Sequence, residues 1–244
     1  MSAPETRQHE TVIEIPASVE EVWKAITEAS EIRRWLAPEV RTDPRQGGEY
    51  FVSWGPGMEG SGTIEVFDAP HHLRVVSSRG EAKVRLAQDF YIEGKGGSTV
   101  LRLVHSGFLT TADWDAEYNG TRGGWKVFFR ILRHALTRHR GVAGRNLDLY
   151  ALSSEPVDRV WELLAPLRPS RLEGEKPPQV AWWIWPEQND AMVQLACSAY
   201  GPKTGVWLNV STFGLSDEAV EAIRKDWKQL LEGIFPEQTP GTCA

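Results

Sequence analysis

The 244 residues carry 27 Lys and Arg against 33 Asp and Glu, a formal net charge of -6, and 41% of them are hydrophobic. These are globular proportions, and they exclude a disordered chain, a collagen-like fibre and a solvating acidic tail. No run of Lys and Arg makes a nucleic-acid footprint, so no nucleic-acid partner is expected.

Eleven tryptophans need a large interior, either a plain core or a core with an aromatic-lined cavity. The acidic excess is concentrated late, with nine basic against fourteen acidic side chains in residues 145–244. Cys197 and Cys243 lie far apart and form neither a disulfide framework nor a CxxC metal pattern. Met1 to Glu10 is polar, unlike a secretory signal, and no stretch reaches 18 apolar residues. A cytoplasmic protein with no membrane span is the expectation.

Residues 10–15 alternate and predict a strand. Ser18 with Glu21 is a capping box, followed by Val19, Val22, Trp23 and Ile26 at helical spacing. A second short helix is expected over Ser30 to Leu36. From Val40 to Phe108 the period changes to two. Tyr50, Val52 and Trp54 share one strand face, as do Val84, Leu86, Gln88 and Phe90, and then Leu101, Leu103 and His105. Gly47-Gly48, Gly55-Pro56-Gly57, Asp68-Ala69-Pro70 and Gly94 to Gly97 punctuate these runs as turns. Thr110 to Asp113 reads as a helix start. The helix beyond, single or broken near Gly123-Gly124, runs to about His139 with Trp125, Phe128, Phe129, Leu132 and Leu136 as its apolar stripe.

Residues 145–244 repeat this order in shortened form. A strand at 147–152 precedes Val157, Val160, Trp161 and Leu164 at helical spacing. Strands are expected at 180–185, 191–197 and 205–211, then a helix capped by Ser216 with Val220, Ile223, Trp227, Leu230, Leu231 and Ile234 on one face. Val19 to Trp23 lines up with Val157 to Trp161. Either the second part is a degenerate internal duplication that has lost about two strands, or strand-plus-helix arrangements recur by chance. Trp182-Trp183-Ile184-Trp185 would be an interface to the first lobe or a second subunit, or the lobe's own core.

Several segments carry a family likeness: Ile15 to Trp23, Trp35-Leu36, Gly47 to Tyr50, Gly62 to Val66, Ala69 to Leu73, Thr99 to Phe108 and Gly123-Gly124-Trp125. In this order they resemble the SRPBCC (START-like, Bet v 1-like) superfamily. The likeness is to its branch related to the C-terminal domain of the activator of heat-shock protein 90 ATPase. It implies an α+β helix-grip fold over residues 1–141, an antiparallel sheet wrapped on a long C-terminal helix. A smaller, truncated lobe of similar plan is expected over 145–236.

The resemblance further implies a cavity between sheet and helix. The expected ligand-binding residues are Trp35, Tyr50, Val52, Trp54, Leu86, Gln88, Phe90, Leu103, His105 and Phe108 from the first part of the domain. The helix would add Trp125, Phe128, Phe129 and Leu132. Gln88 and His105 are the obvious inward polar side chains. Aromatic residues at helical spacing also serve as plain core, and His105 also suits a structural role. Signatures of nucleophile elbow, zinc protease and P-loop are absent. His71-His72 would point apart, and His134 and His139 would diverge on a helix. No metal, cofactor or catalytic residue is expected.

Three functions follow from this reading. The first is a non-enzymatic binder of a lipophilic or aromatic small molecule, with a possible homodimer. The second is a polyketide cyclase or aromatase using His105, Tyr50 or Tyr91 as proton donor or acceptor. The third is an interaction module like the chaperone activator.

Overall fold

In the computed structural model, which describes residues 4–55, 57–80, 84–169 and 180–236, the chain divides into two units, Met1–Gly141 and Val142–Ala244. The first unit runs β1 (Thr6–Ile15), α1 (Val19–Thr27), α2 (Ala29–Ile32), β2 (Glu39–Thr42), β3 (Glu49–Ser53), β4 (Glu59–Asp68), β5 (His72–Arg79), β6 (Val84–Lys95), β7 (Ser98–Leu109) and α3 (Asp115–Arg138). Its seven strands form one sheet in the order β1-β7-β6-β5-β4-β3-β2, all neighbours antiparallel. This is a six-stranded meander with β1 added beside the last strand. With the long helix that follows, it is the helix-grip plan.

Local chemistry explains the elements. At α1 the Glu21 amide donates to Ser18 Oγ (3.2 Å) and the Ser18 amide donates to Glu21 Oε2 (2.8 Å), so two orphan N–H groups are paired at once. Val22, Trp23, Ala25 and Ile26 form its buried face. Two glycines with positive φ, Gly96 and Gly97, close the β6–β7 hairpin.

Three expectations need correction. The strand β1 begins at Thr6, four residues earlier than the alternation suggested. The helical part of α2 stops at Ile32, and residues 33–36 are turn. The Thr110–Asp113 signature starts a 3-10 turn over Ala112–Trp114, with no side-chain cap from Thr111. Of the two readings open for the last helix, the single one holds: α3 continues unbroken through Gly123-Gly124. Each helical glycine costs about 1 kcal/mol, but the buried Trp125, Phe129, Leu132 and Leu136 hold the segment against the sheet.

The C-terminus of α3 is closed by Arg34, whose guanidinium donates to the carbonyls of Ala135 and His139. His139 has left helical geometry (φ -131°, ψ 39°), so its ring meets that of His134 at 5.0 Å rather than diverging from it.

The second unit runs β8 (Gly144–Ser153), α4 (Val157–Leu163), β9 (Val180–Trp185), β10 (Ala191–Tyr200), β11 (Lys203–Phe213) and α5 (Asp217–Ile234). Its sheet has the order β8-β11-β10-β9. As in the first unit, the opening strand pairs with the last one and a long helix follows. Four strands against seven make the difference three among the described residues, not about two. Its core gathers Leu147, Val160, Trp161, Trp183, Val193, Leu195, Leu208, Val210, Ile223, Trp227 and Leu231. Trp183 belongs to that core and Trp185 packs on it, so these two tryptophans serve their own lobe. Cys197 is buried with a free thiol, and burial pushes its pKa up to about 12. Cys243 and Pro56 lie outside the described residues.

Candidate functional site

The inner face of the first sheet is set by strand phase. On β6, Leu86, Gln88 and Phe90 point one way, and on β7 so do Leu101, Leu103 and His105, with Gln88 paired to His105 and Phe90 to Leu103. The helix α3 lies against this face. Trp125 meets Phe90 (ring centroids 5.7 Å), Phe129 (5.8 Å) and Phe128 (6.2 Å). Trp54, from the end of β3, stacks on Phe128 at 5.7 Å and 25°.

Eleven of the fourteen sequence-chosen residues fall into three groups. Leu86, Phe90, Leu103, Phe129 and Leu132 are buried apolar wall. Trp54, Gln88 and Phe128 are only partly buried. Trp35, Tyr50 and Val52 are buried, the first two bonded to α1. The Trp35 indole N–H donates to the Ala25 carbonyl (2.8 Å) and the Tyr50 hydroxyl to that of Ile26 (3.4 Å). Burial holds the Tyr50 hydroxyl well above its ordinary pKa. Tyr91 faces the other side of the sheet, stacked on His72 at 4.5 Å beneath the Arg102 guanidinium at 4.3 Å.

His105 and Phe108 are three residues apart and would face opposite sides of a regular strand. A bulge at Gly107 (φ +96°) turns both inward. Their rings come to 4.6 Å, and both are buried. Trp125 Nε1–H donates to His105 Nδ1 (3.2 Å), which fixes the His105 proton on Nε2.

Sequence reasoning missed the other polar half of this face, His9 and Thr11 of β1, which pair with His105 and Leu103. The His9 ring packs against His105 (5.3 Å), Phe108 (5.4 Å) and Tyr118 of α3 (5.4 Å). It is 5% exposed. Its Nε2 lies 3.0 Å from Thr121 Oγ1. The Thr121 hydroxyl donates to the Glu117 carbonyl one helical turn back (2.9 Å), so it accepts from His9 Nε2–H. Desolvation first, then the positive charge of Arg122, lower the His9 pKa to about 4. At neutral pH the ring is uncharged. The missed signal was the period of two itself, since His9, Thr11, Ile13 and Ile15 continue one face upstream of Glu10.

The first turns of α3 are fastened over this cluster. Tyr118 donates its hydroxyl to the Gln8 carbonyl (3.1 Å), and Arg7 pairs with Asp115 (2.5 Å) while lying over the Tyr118 ring (4.2 Å). Among the described residues no group of three or more His, Cys, Asp or Glu could hold a metal ion. No described helix is long and apolar enough to cross a membrane. Chemically, the site is an aromatic-walled face with two imidazoles, a threonine hydroxyl and an amide.

A family model described as activator of Hsp90 ATPase homolog 1-like protein matches residues 16–137, half of the chain. Among solved structures, a protein from Mesorhizobium loti is 25% identical, with a TM-score of 0.48 over 54% of this chain and 98% of that one. An Aha1 dimer from Colwellia psychrerythraea is 20% identical, with a TM-score of 0.49 over 55% of this chain and 99% of that one. DynU16, described as a putative protein in the dynemicin biosynthetic locus, is 15% identical, with a TM-score of 0.48 over 92% of this chain and 95% of that one. Comparison with curated proteins gives no match.

Proposed function

Because the chain belongs, through residues 16–137, to the activator of Hsp90 ATPase homolog 1-like family, we propose that its first unit binds a lipophilic or aromatic small molecule between the sheet and α3, without transforming it. The observation that carries this reading is Gln88. It sits on an interior strand, paired to His105 on one side and Val75 on the other. It points to the inner face between the buried Leu86 and Phe90, yet it is only partly buried. A central inner-face position that stays accessible supports a recess between sheet and helix. Such a recess would be walled by Phe90, Trp125 and the Trp54–Phe128 stack. Apolar walls with a few convergent polar groups suit a small-molecule pocket. Desolvation of the ligand would supply most of the affinity.

Binding without turnover fits the polar groups. The Tyr50 hydroxyl is already committed to the Ile26 carbonyl. His9, with a pKa of about 4, is too weak a base to take a proton efficiently near neutral pH. The test fills the recess from the sheet side. Gln88→Trp is expected to weaken uptake of 2-naphthol, followed by tryptophan fluorescence and calorimetry, at least tenfold while leaving the thermal midpoint within a few degrees. Unchanged uptake by a folded Gln88→Trp protein would place any ligand elsewhere and overturn the reading.

A further inference from the structure

Two atoms on the inner face of β1 are buried without a hydrogen-bond partner, His9 Nδ1 and Thr11 Oγ1. Buried polar atoms in native proteins are almost always paired, and an orphan costs about 1–3 kcal/mol. Here the two orphans are successive residues on one face of one strand, about 6.6 Å apart along it. Both face α3, and His9 stands within the ring cluster of His105, Phe108 and Tyr118.

The character of the His9 orphan is set by its neighbour. Thr121 has two backbone acceptors for its only hydroxyl proton, the carbonyls of Glu117 (2.9 Å) and Tyr118 (3.2 Å), so toward His9 it accepts. The His9 proton is therefore on Nε2, and Nδ1 is a bare lone pair. A lone pair in an aromatic pocket selects a hydrogen-bond donor. Thr11, whose hydroxyl can donate or accept, sits beside it as a second polar contact.

We infer that this pocket reads a hydroxyl group on its ligand: an aromatic alcohol of the phenol class, its O–H donated to His9 Nδ1, with Thr121 as the positioning residue that fixes the accepting tautomer. The inference rests on the binding function proposed above and names the chemical class of its ligand. A carbonyl or ether oxygen at the same place would meet the lone pair with another lone pair. An unsubstituted ring would leave the nitrogen orphaned. Pairing a nitrogen that is otherwise buried and unpaired is worth about tenfold in affinity or more.

The experiment compares 2-naphthol, 2-methoxynaphthalene and naphthalene on the full-length protein by calorimetry and tryptophan fluorescence. The naphthol is expected to bind at least tenfold more tightly than either relative. His9→Phe keeps a ring of similar size and is expected to bring the three probes to within about threefold of one another. Thr121→Val carries the test independently should His9→Phe not fold, since it frees the His9 ring to protonate Nδ1. Nitrogen-15 shifts of the His9 ring should then move from the Nε2–H pattern toward a mixture, and the preference for the naphthol should fall. Equal binding of all three probes to the wild-type protein overturns hydroxyl recognition and leaves the binding function standing. Failure of all three to bind overturns both. A naphthol preference that survives in both variants removes His9 and Thr121 from recognition.

Discussion

Moving the His9 ring out of water makes the first unit's stability depend on pH. In the folded protein its pKa falls from 6.5 to about 4, through desolvation and then the charge of Arg122. The unfolded chain therefore binds a proton as pH drops below 6.5 while the folded chain does not. Stability from this residue is complete above about pH 6.5 and is lost as pH falls toward 4. The loss amounts to roughly 3 kcal/mol at most. Urea unfolding of the wild-type protein at pH 7 and pH 4.5 should differ by more than that of His9→Phe. Parallel losses in the two proteins would mean that His9 does not stay neutral. Of the inward polar residues, the sequence disclosed His105 and Gln88, because apolar neighbours at a spacing of two mark their face. It marked His9 and Thr11 only by their spacing of two from Ile13 and Ile15, a faint signal because Gln8-His9-Glu10-Thr11 contains no apolar residue. The burial of His9 comes from Phe108, brought beside β1 by strand pairing with β7, and from Tyr118 and Thr121, which reach it only when α3 lies down on the sheet.

At the scale of the element, the bulge in β7 decides which aromatic residues reach the site. A Cβ at Gly107 would come within 2.2 Å of the Arg85 carbonyl oxygen, and its φ of +96° is one that side chains resist. Gly107→Ala must either break the β6–β7 pairing there or straighten the strand, and straightening would carry Phe108 to the outer face. The expected cost is about 2–4 kcal/mol, read as a lowered urea midpoint. The near-ultraviolet circular dichroism of the aromatic cluster should change with it. A variant as stable as wild type, with the same aromatic signal, would show that the bulge does not need glycine. The strands of the meander were legible because period two and glycine turns are local signals. Helix ends were less so. The α3 glycines left a single and a broken helix both open, and packing of Trp125, Phe129 and Leu132 decides for the single one. The stop of α2 at Ile32 follows from the demands on Arg33 and Arg34. Arg33 donates to the Val40 carbonyl and Arg34 to the end of α3, long-range bonds that no local pattern announces.

At the scale of the whole molecule, the two units share an order of elements: strand, helix, meander, long helix, with the opening strand paired to the last. That order was legible because capping serines and helical stripes recur in both halves. The strand count was not, since what separates a shortened sheet from a complete one is pairing partners, which sequence does not display. Each unit also packs its own interior, and the second gathers its core around β10, β11, α4 and α5. Such units should open separately, as cooperative blocks with their own free energies. Leu208 is fully buried (0% exposed) on β11, an interior strand of the second sheet. Truncating it leaves a cavity and should cost about 2–5 kcal/mol. In Leu208→Ala, native-state hydrogen exchange is expected to accelerate at the amides of β10 and β11, while those of β6 and β7 keep wild-type protection. Equal acceleration in both sheets would mean that one cooperative transition governs the chain. A lesion in the second core would then reach the inner face of the first sheet as directly as a substitution within it.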